Sequence, residues 1–199
     1  MNPLASTLRE TANTVADLGG CAADFAALDD AILLDAQKLI AAHQRAADTY
    51  AAWIASAIAH RSRHELGYDG LAQRRGFVSP EALIQSVTGA TRVEAAKLVQ
   101  VGTMMAEAEA AAALVGVSDG SVVPSAVAEL EPASGIFGVF ASWQAPIAAA
   151  VSAGTLSVDG AEAIRKALGT VDGATTGQLL RQASEVLIAE AGGLVKFSV

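Results

Sequence analysis

The histidines of this sequence are the side chains most suited to holding a metal ion, and there are three of them. His60 and His64 are four positions apart, so on a helix they would share one face and could bind a metal together. A zinc site usually needs three or four protein ligands, and the sequence places no third ligand beside this pair. We therefore predict that both histidines belong to a solvated, cationic helix end, and that the chain binds no metal or cofactor.

Cys21 and His43 also have plain structural interpretations. Cys21 follows two glycines near a possible helix start, where a thiol pKa can fall, but no histidine is close to it in sequence. A single cysteine excludes an internal disulfide, and a reducing cytoplasm is the expected location. His43 is predicted to be a core residue or to lie in a seam between helices. Because no nucleophile–base pair and no glycine-rich phosphate loop is visible, we predict no catalytic role for this chain, and an unrecognised hydrolase is a less favoured alternative.

Positive charge is concentrated in one segment of an acidic chain. The formal net charge is −8, and residues 98–164 contain no lysine or arginine. Residues 61–97 contain six basic and four acidic residues and form the most positive block. Nucleic-acid affinity depends on cations that meet phosphates, so any DNA contact is expected to be weak and to come from this block. The candidate nucleic-acid-binding residues are Arg74, Arg75, Arg92 and Lys97.

Two short predicted helices surround these cations. Ser79-Pro80 is typical of a helix start, Gly89 ends that helix, and Thr91 with Glu94 forms a capping box that opens the next helix. The arrangement resembles a helix-turn-helix, in which the second helix enters the major groove of DNA. An ordinary helical hairpin in a bundle explains the same spacing, and the acidic remainder of the chain favours it.

The sequence as a whole predicts an all-α, multi-helix bundle without strands. Hydrophobic residues make up 52% of the chain but aromatic residues only 5%, a composition rich in alanine that favours helix. Small and apolar residues at spacings of three and four predict one long spine helix over residues 24–66, which ends at Gly67. The members of this stripe are Leu28, Ile32, Ala36, Leu39, His43, Ala47, Tyr50, Ile54 and Ala57. A helix of this length would span roughly 60 Å, which predicts a homodimer through the long helix or through the apolar tail at 194–197.

The domain organisation is predicted to be a single integrated domain with three parts. Residues 1–115 hold the long helix and the helix-turn-helix-like pair, 116–141 form an irregular connection, and 142–199 form a C-terminal helical part. In that last part we expect helices over 143–151, with Pro146 in the first turn, over 158–168 and over 177–191. No run of about 18 large apolar residues is free of charge, and no signal peptide is visible, so a membrane location is not expected.

Two segments of this chain carry a resemblance to a known family. The first is SVTGATRVEAAKLV at residues 86–99, within 74–102. The second is PIAAAVSAGTLS at residues 146–157, followed by AEAI at 161–164. In this order they resemble the actinobacterial family known as domain of unknown function 222, or the 13E12 repeat family. The resemblance covers roughly residues 25–190.

Members of this family commonly carry a C-terminal HNH endonuclease domain, in which histidines hold a metal and an asparagine orients the motif. Here the last histidine is His64 and the only asparagines are Asn2 and Asn13, so the nuclease residues carry over to no position. The resemblance therefore implies a non-catalytic helical module that accompanies a nuclease and helps to position nucleic acid. The alternative is a structural or oligomerising module that contacts only other proteins.

Overall fold

The structure, a computed structural model, describes the backbone of residues 3–117, 134–169 and 176–194, and the side chains of 4–113, 143–169 and 176–191. The described residues form α-helices and one 3₁₀ helix, and they contain no strand, as the sequence predicts. The helices are α1 (Pro3–Leu18), α2 (Ala22–Ala26), α3 (Asp30–His60), the 3₁₀ helix (His64–Asp69), α4 (Leu71–Arg74), α5 (Pro80–Thr88), α6 (Arg92–Val117), α7 (Ser134–Ser152), α8 (Val158–Leu168) and α9 (Gly177–Leu194).

The longest described helix is α3, with 31 residues, and it runs unbroken through His43 as predicted. The prediction of one helix over 24–66 was wrong at both ends. Asp29 begins α3, because its side chain accepts a hydrogen bond from the Ile32 N–H at 2.9 Å and so separates α3 from the short α2. After α3 the chain passes into the 3₁₀ helix, where Gly67 takes a positive φ of 50° that turns the backbone.

The core is built where the C-terminal half of α3 packs against α6. Gly102 of α6 lies so close to α3 that a Cβ atom placed on it would be 1.9 Å from the Ala52 carbonyl oxygen. Ala52 and Ala95 are completely buried, and Ala55 is nearly so. The small side chains of this sequence therefore contribute by letting two helix backbones approach closely, since each buries little apolar area itself.

The buried face of α3 differs from the predicted apolar stripe. Ala36 is buried, but Ile54 is 60% exposed, and Ala47 and Ala57 are also exposed. The buried positions in this half of the helix are Ala46, Thr49, Ala52 and Ala55. The close approach of α6 buries Ala52 and Ala55, two small side chains that lie outside the predicted stripe.

The α1 helix covers the N-terminal half of α3. Thr11 is buried, and its hydroxyl donates to the Thr7 carbonyl at 2.8 Å while its oxygen lies 3.1 Å from His43 Nδ1. A polar residue of α1 thus faces the histidine of α3. His43 is a half-buried residue in the seam between α1 and α3.

The α7 and α9 helices complete the core on the other side of α6. Trp143, Ile147 and Val151 are buried on one face of α7 and pack in the same cluster as Ala52, Val101 and Met105. Residues from both the 1–115 and the 142–199 parts thus share one core.

The connection predicted over 116–141 is helical at both ends. The α6 helix continues to Val117 and α7 begins at Ser134, while 118–133 lie outside the described residues. Pro146 is therefore inside α7, where the prediction placed it in a first turn. Buried side chains on both sides of Pro146 hold the helix against the core, which offsets the lost backbone hydrogen bond.

The last helix also departs from its predicted end. The α9 helix continues through Gly192 and Gly193 to Leu194, beyond the predicted stop at 191, and the tail from 195 onward lies outside the described residues. Within the described ranges, no helix has the length and apolar character needed to cross a bilayer.

Candidate nucleic-acid interface

The caps predicted for the helix-turn-helix-like pair are present. The Ser79 hydroxyl accepts from the Ala82 N–H at 3.2 Å, and Gly89 is left-handed with φ 73°. Thr91 N–H donates to the Glu94 carboxylate at 2.7 Å, and Glu94 N–H donates to the Thr91 hydroxyl at 3.2 Å. These hydrogen bonds hold the pKa of Glu94 below its ordinary value, chiefly through the Thr91 backbone. The start of α6 is therefore fixed by its own sequence.

The body of α6 is a central bundle helix. Ala95, Val101 and Met105 are buried on it, whereas Val93 in its first turn is 73% exposed. A recognition helix must present several side chains to a DNA groove, and the exposed side chains of α6 beyond its first turn include Gln100, Glu107 and Glu109, none of which is basic. The packing therefore favours the interpretation of α5 and α6 as a hairpin within a bundle.

Lys97 forms an ion pair with a carboxylate of the described fold. Its ammonium forms an ion pair with Asp159 of α8, and three-quarters of the Lys97 side chain is covered. The hydrogen bond to Asp159 raises the pKa of Lys97 above its ordinary value. Lys97 was predicted to contact phosphate. Its ion pair with Asp159 was not predictable from local sequence, because Asp159 is 62 positions away.

Asp48 adds a second carboxylate to the same hollow between α3, α6 and α8. Asp48 is exposed as a residue, but partial desolvation of its carboxylate in the hollow raises its pKa above the ordinary value, the negative charge of Asp159 raises it further, and Lys97 opposes the shift. Ionised Asp48 thus destabilises the folded state at neutral pH.

We expect the Asp48→Asn variant to unfold at higher urea concentration than the wild type at pH 7. The stability difference between the variant and the wild type should shrink as the pH falls through the raised pKa of Asp48 towards the ordinary value of 3.8. In this range the folded wild type takes up a proton at Asp48, so the unfavourable charge that destabilises its folded state is removed. Asp35→Asn, at an exposed pair with Lys38, is the control and should change little. A destabilised Asp48→Asn protein at pH 7 would contradict this assignment.

Arg92 lies in a groove between α6 and α8, together with Lys97, Arg165 and Lys166. Arg165 and Lys166 are both paired with the buried Glu162, at 2.9 and 3.0 Å. Burial raises the pKa of Glu162, but hydrogen bonds from Arg165 and Lys166 outweigh it, and the net shift is downward. Within the described part of the chain, Arg92 is the cation of this groove that has no ion pair.

Arg74 and Arg75 lie elsewhere, at the end of α4. The Leu71 N–H donates to the Arg61 carbonyl at 2.7 Å, and the Ala72 N–H donates to the hydroxyl of buried Ser62 at 3.1 Å. These bonds attach α4 to the residues that follow α3, so Arg61 lies at the same corner of the molecule as Arg74 and Arg75. We call Arg61, Arg74 and Arg75 the basic corner.

The basic corner has exposed and unpaired charge. All three arginines are exposed, and none has an ion pair among the described residues. The neighbouring Arg63 is partly engaged, since it donates to the His60 carbonyl at 3.0 Å and lies 3.9 Å from Glu65. Arg61 is not among the candidates predicted from sequence, because it is 13 positions from Arg74, although both lie in the same positive block.

The two histidines and Cys21 lie on separate elements of the fold. The α3 helix ends at His60 and His64 begins the 3₁₀ helix, so they do not share a helical face. Cys21 is exposed at the N-cap position of α2. No group of histidine, cysteine, aspartate or glutamate residues in the described ranges could hold a metal ion.

A comparison of the chain with protein-family models, with curated proteins and with solved structures finds no match. The resemblance to domain of unknown function 222 therefore stays a prediction from the two quoted segments.

Proposed function

We propose that this chain is a non-catalytic helical module that binds the phosphate backbone of nucleic acid weakly through the basic corner. The observation that carries the proposal is that three exposed arginines have no ion pair within the described ranges and lie on two segments that hydrogen bonds hold together. A guanidinium group offers a planar set of donors that matches the geometry of phosphate oxygens. The family resemblance supports the proposal, because it implies a module that positions nucleic acid for a nuclease.

The acidic remainder of the chain determines how weak this binding is. With a net charge of −8, the molecule repels DNA at long range. This repulsion is screened beyond about 10 Å at 0.1 M salt, so the corner can act only in close contact. We expect a dissociation constant at the weak end of non-specific binding, about 10⁻⁴ M at physiological salt.

The Arg74→Ala/Arg75→Ala variant is expected to bind a fluorescein-labelled DNA duplex at least about tenfold more weakly than the wild type at 50 mM salt, since two of three phosphate contacts are lost. Fluorescence anisotropy measures the affinity, and circular dichroism checks that the helices persist. The control is Arg9→Ala/Arg181→Ala, which changes the net charge equally at two exposed sites on α1 and α9. Equal loss of affinity in both variants would assign the effect to net charge and contradict the proposal.

A second candidate function, self-association, is favoured by the N-terminal half of α3. Ile32, Leu33 and Leu34 are 45%, 45% and 62% exposed there. Successive residues of a helix project about 100° apart, so Leu33 and Leu34 share one exposed apolar side of α3, which is typical of an interaction surface. We propose a second copy of this chain as the partner, in line with the predicted homodimer.

Light scattering at high micromolar concentration is expected to give the mass of a dimer. The Leu33→Ser/Leu34→Ser variant should give the mass of a monomer, because it removes apolar area from the contact. The control is Val186→Ser, an exposed apolar residue of α9. A wild-type protein that is strictly monomeric at this concentration would contradict self-association.

A further inference from the structure

We infer that the groove beside the basic corner receives an unpaired nucleobase, so that the module prefers single-stranded nucleic acid over duplex. This inference rests on the proposed function and names the ligand of the same corner. The groove lies between the C-terminal end of α3 and α6, and its volume is about 730 Å³, within the range of about 300–1,000 Å³ that is typical of ligand pockets. Its lining residues are Trp53, Ser56, Ala57, His60, Arg61, Ala106 and Glu109.

The groove has an aromatic wall that is held in place. The Trp53 ring packs edge-on against Tyr50, with ring centroids 5.3 Å apart and an interplanar angle of 87°. Trp53 also packs against the main core, so its orientation is fixed before any ligand arrives. The neighbouring lining residues Ser56, Ala57 and Ala106 are small, which leaves space beside the indole. Bases of a single strand bind proteins by contact with such aromatic surfaces, and every base has a face to offer.

Arg61 connects the groove with the phosphate contacts. It lines the groove and is also a member of the basic corner, where its carbonyl accepts the hydrogen bond from Leu71. A strand whose phosphates meet the corner therefore has a base within reach of the groove. In a duplex the bases are stacked and paired, so they cannot enter, whereas an unpaired strand can splay a base outward.

Glu109 sets the kind of base that fits. It is exposed on α6 and lines the groove together with His60 and Arg61. A carboxylate accepts hydrogen bonds from an exocyclic amino group, such as that of cytosine, and repels the carbonyl oxygen that thymine presents at the same position. The groove should therefore prefer cytosine over thymine.

Fluorescence anisotropy with the full chain at 50 mM salt tests this inference on four labelled probes: a cytosine strand, a thymine strand, an abasic strand and a duplex, all of equal length. We expect the cytosine strand to bind about tenfold more tightly than the abasic strand, because the abasic strand keeps its phosphates and lacks only the bases. The thymine strand should bind more weakly than the cytosine strand.

Two matched variants locate the effect. Ala57→Leu fills the groove from an exposed position, and it should bring the affinity for the cytosine strand down to that of the abasic strand. Ala47→Leu makes the same change at another exposed position of α3 and should leave the preference intact. Arg74→Ala/Arg75→Ala should weaken the binding of every probe.

The possible failures are distinguishable. Equal affinity for the cytosine and abasic strands, or an unchanged preference in Ala57→Leu, would overturn the base-binding groove and leave the phosphate contact standing. Equal affinity for the cytosine and thymine strands would overturn the role given to Glu109. If none of the probes binds at 50 mM salt, the proposed function fails, and this inference fails with it.

Discussion

Replacement of Gly102 by alanine is expected to lower the free energy of unfolding by about 3 kcal/mol, at the upper end of the usual cost of overpacking a core. The added Cβ would lie 1.9 Å from the carbonyl oxygen and 2.7 Å from the carbonyl carbon of Ala52. Both are backbone atoms, so no side-chain rotation relieves the clash and α6 must move away from α3. The gain of about 1 kcal/mol in helix propensity from glycine to alanine offsets only part of this cost.

Urea denaturation followed by circular dichroism measures the change. Gly160→Ala is the matched helical control, because the closest atom to its added Cβ is the end of the Leu156 side chain at 2.8 Å, and a side-chain atom can shift more easily than backbone. We expect the control to change the free energy of unfolding by less than about 1 kcal/mol. A Gly102→Ala protein as stable as the control would show that α3 and α6 do not meet backbone to backbone.

Truncation of Trp143 to alanine is expected to destabilise the protein by about 4 kcal/mol, as is usual for the loss of a large buried aromatic side chain. Trp143 is 1% exposed and contacts the core formed by α6, α7 and α9. Trp143→Phe should cost far less, because the Trp143 Nε1 has no hydrogen-bond partner among the described residues, so its removal breaks none of their hydrogen bonds.

Equilibrium unfolding of the two variants, under the same conditions, tests this prediction. The comparison separates the apolar contribution of the ring from any polar contribution of the indole nitrogen. A Trp143→Phe protein as unstable as Trp143→Ala would mean that the indole N–H has a partner in solution, and it would contradict the purely apolar role of this side chain.

Features carried by neighbouring residues were predictable from the sequence. Ser79, Gly89 and the Thr91–Glu94 box were expected to begin or end helices, and each does so through hydrogen bonds to residues three or four positions away. The long unbroken helix was equally predictable, since a helical period needs only local information. Its start differs from the prediction because Asp29 caps α3 through its side chain and separates it from α2.

Features that depend on distant residues were not predictable. The burial of Ala52 in place of Ile54 follows from the approach of Gly102, and no local pattern indicates it. Lys97 was assigned to phosphate although Asp159 pairs with it. The basic corner could not be predicted because it depends on the hydrogen bond between Leu71 and the Arg61 carbonyl, which brings Arg61 close to the helix that ends at Arg74. Ion pairs between residues distant in sequence therefore determine which of the candidate cations remain without a carboxylate partner among the described residues.

The salt dependence of duplex binding tests the phosphate contact at the basic corner most directly. With three phosphate contacts, the wild-type affinity should fall roughly 40-fold between 50 and 200 mM salt, since the logarithmic slope is about −0.9 per contact. For Arg74→Ala/Arg75→Ala, which keeps one contact, the fall should be roughly fourfold. The same slope in both proteins would contradict the account, because it would mean that Arg74 and Arg75 touch no phosphate.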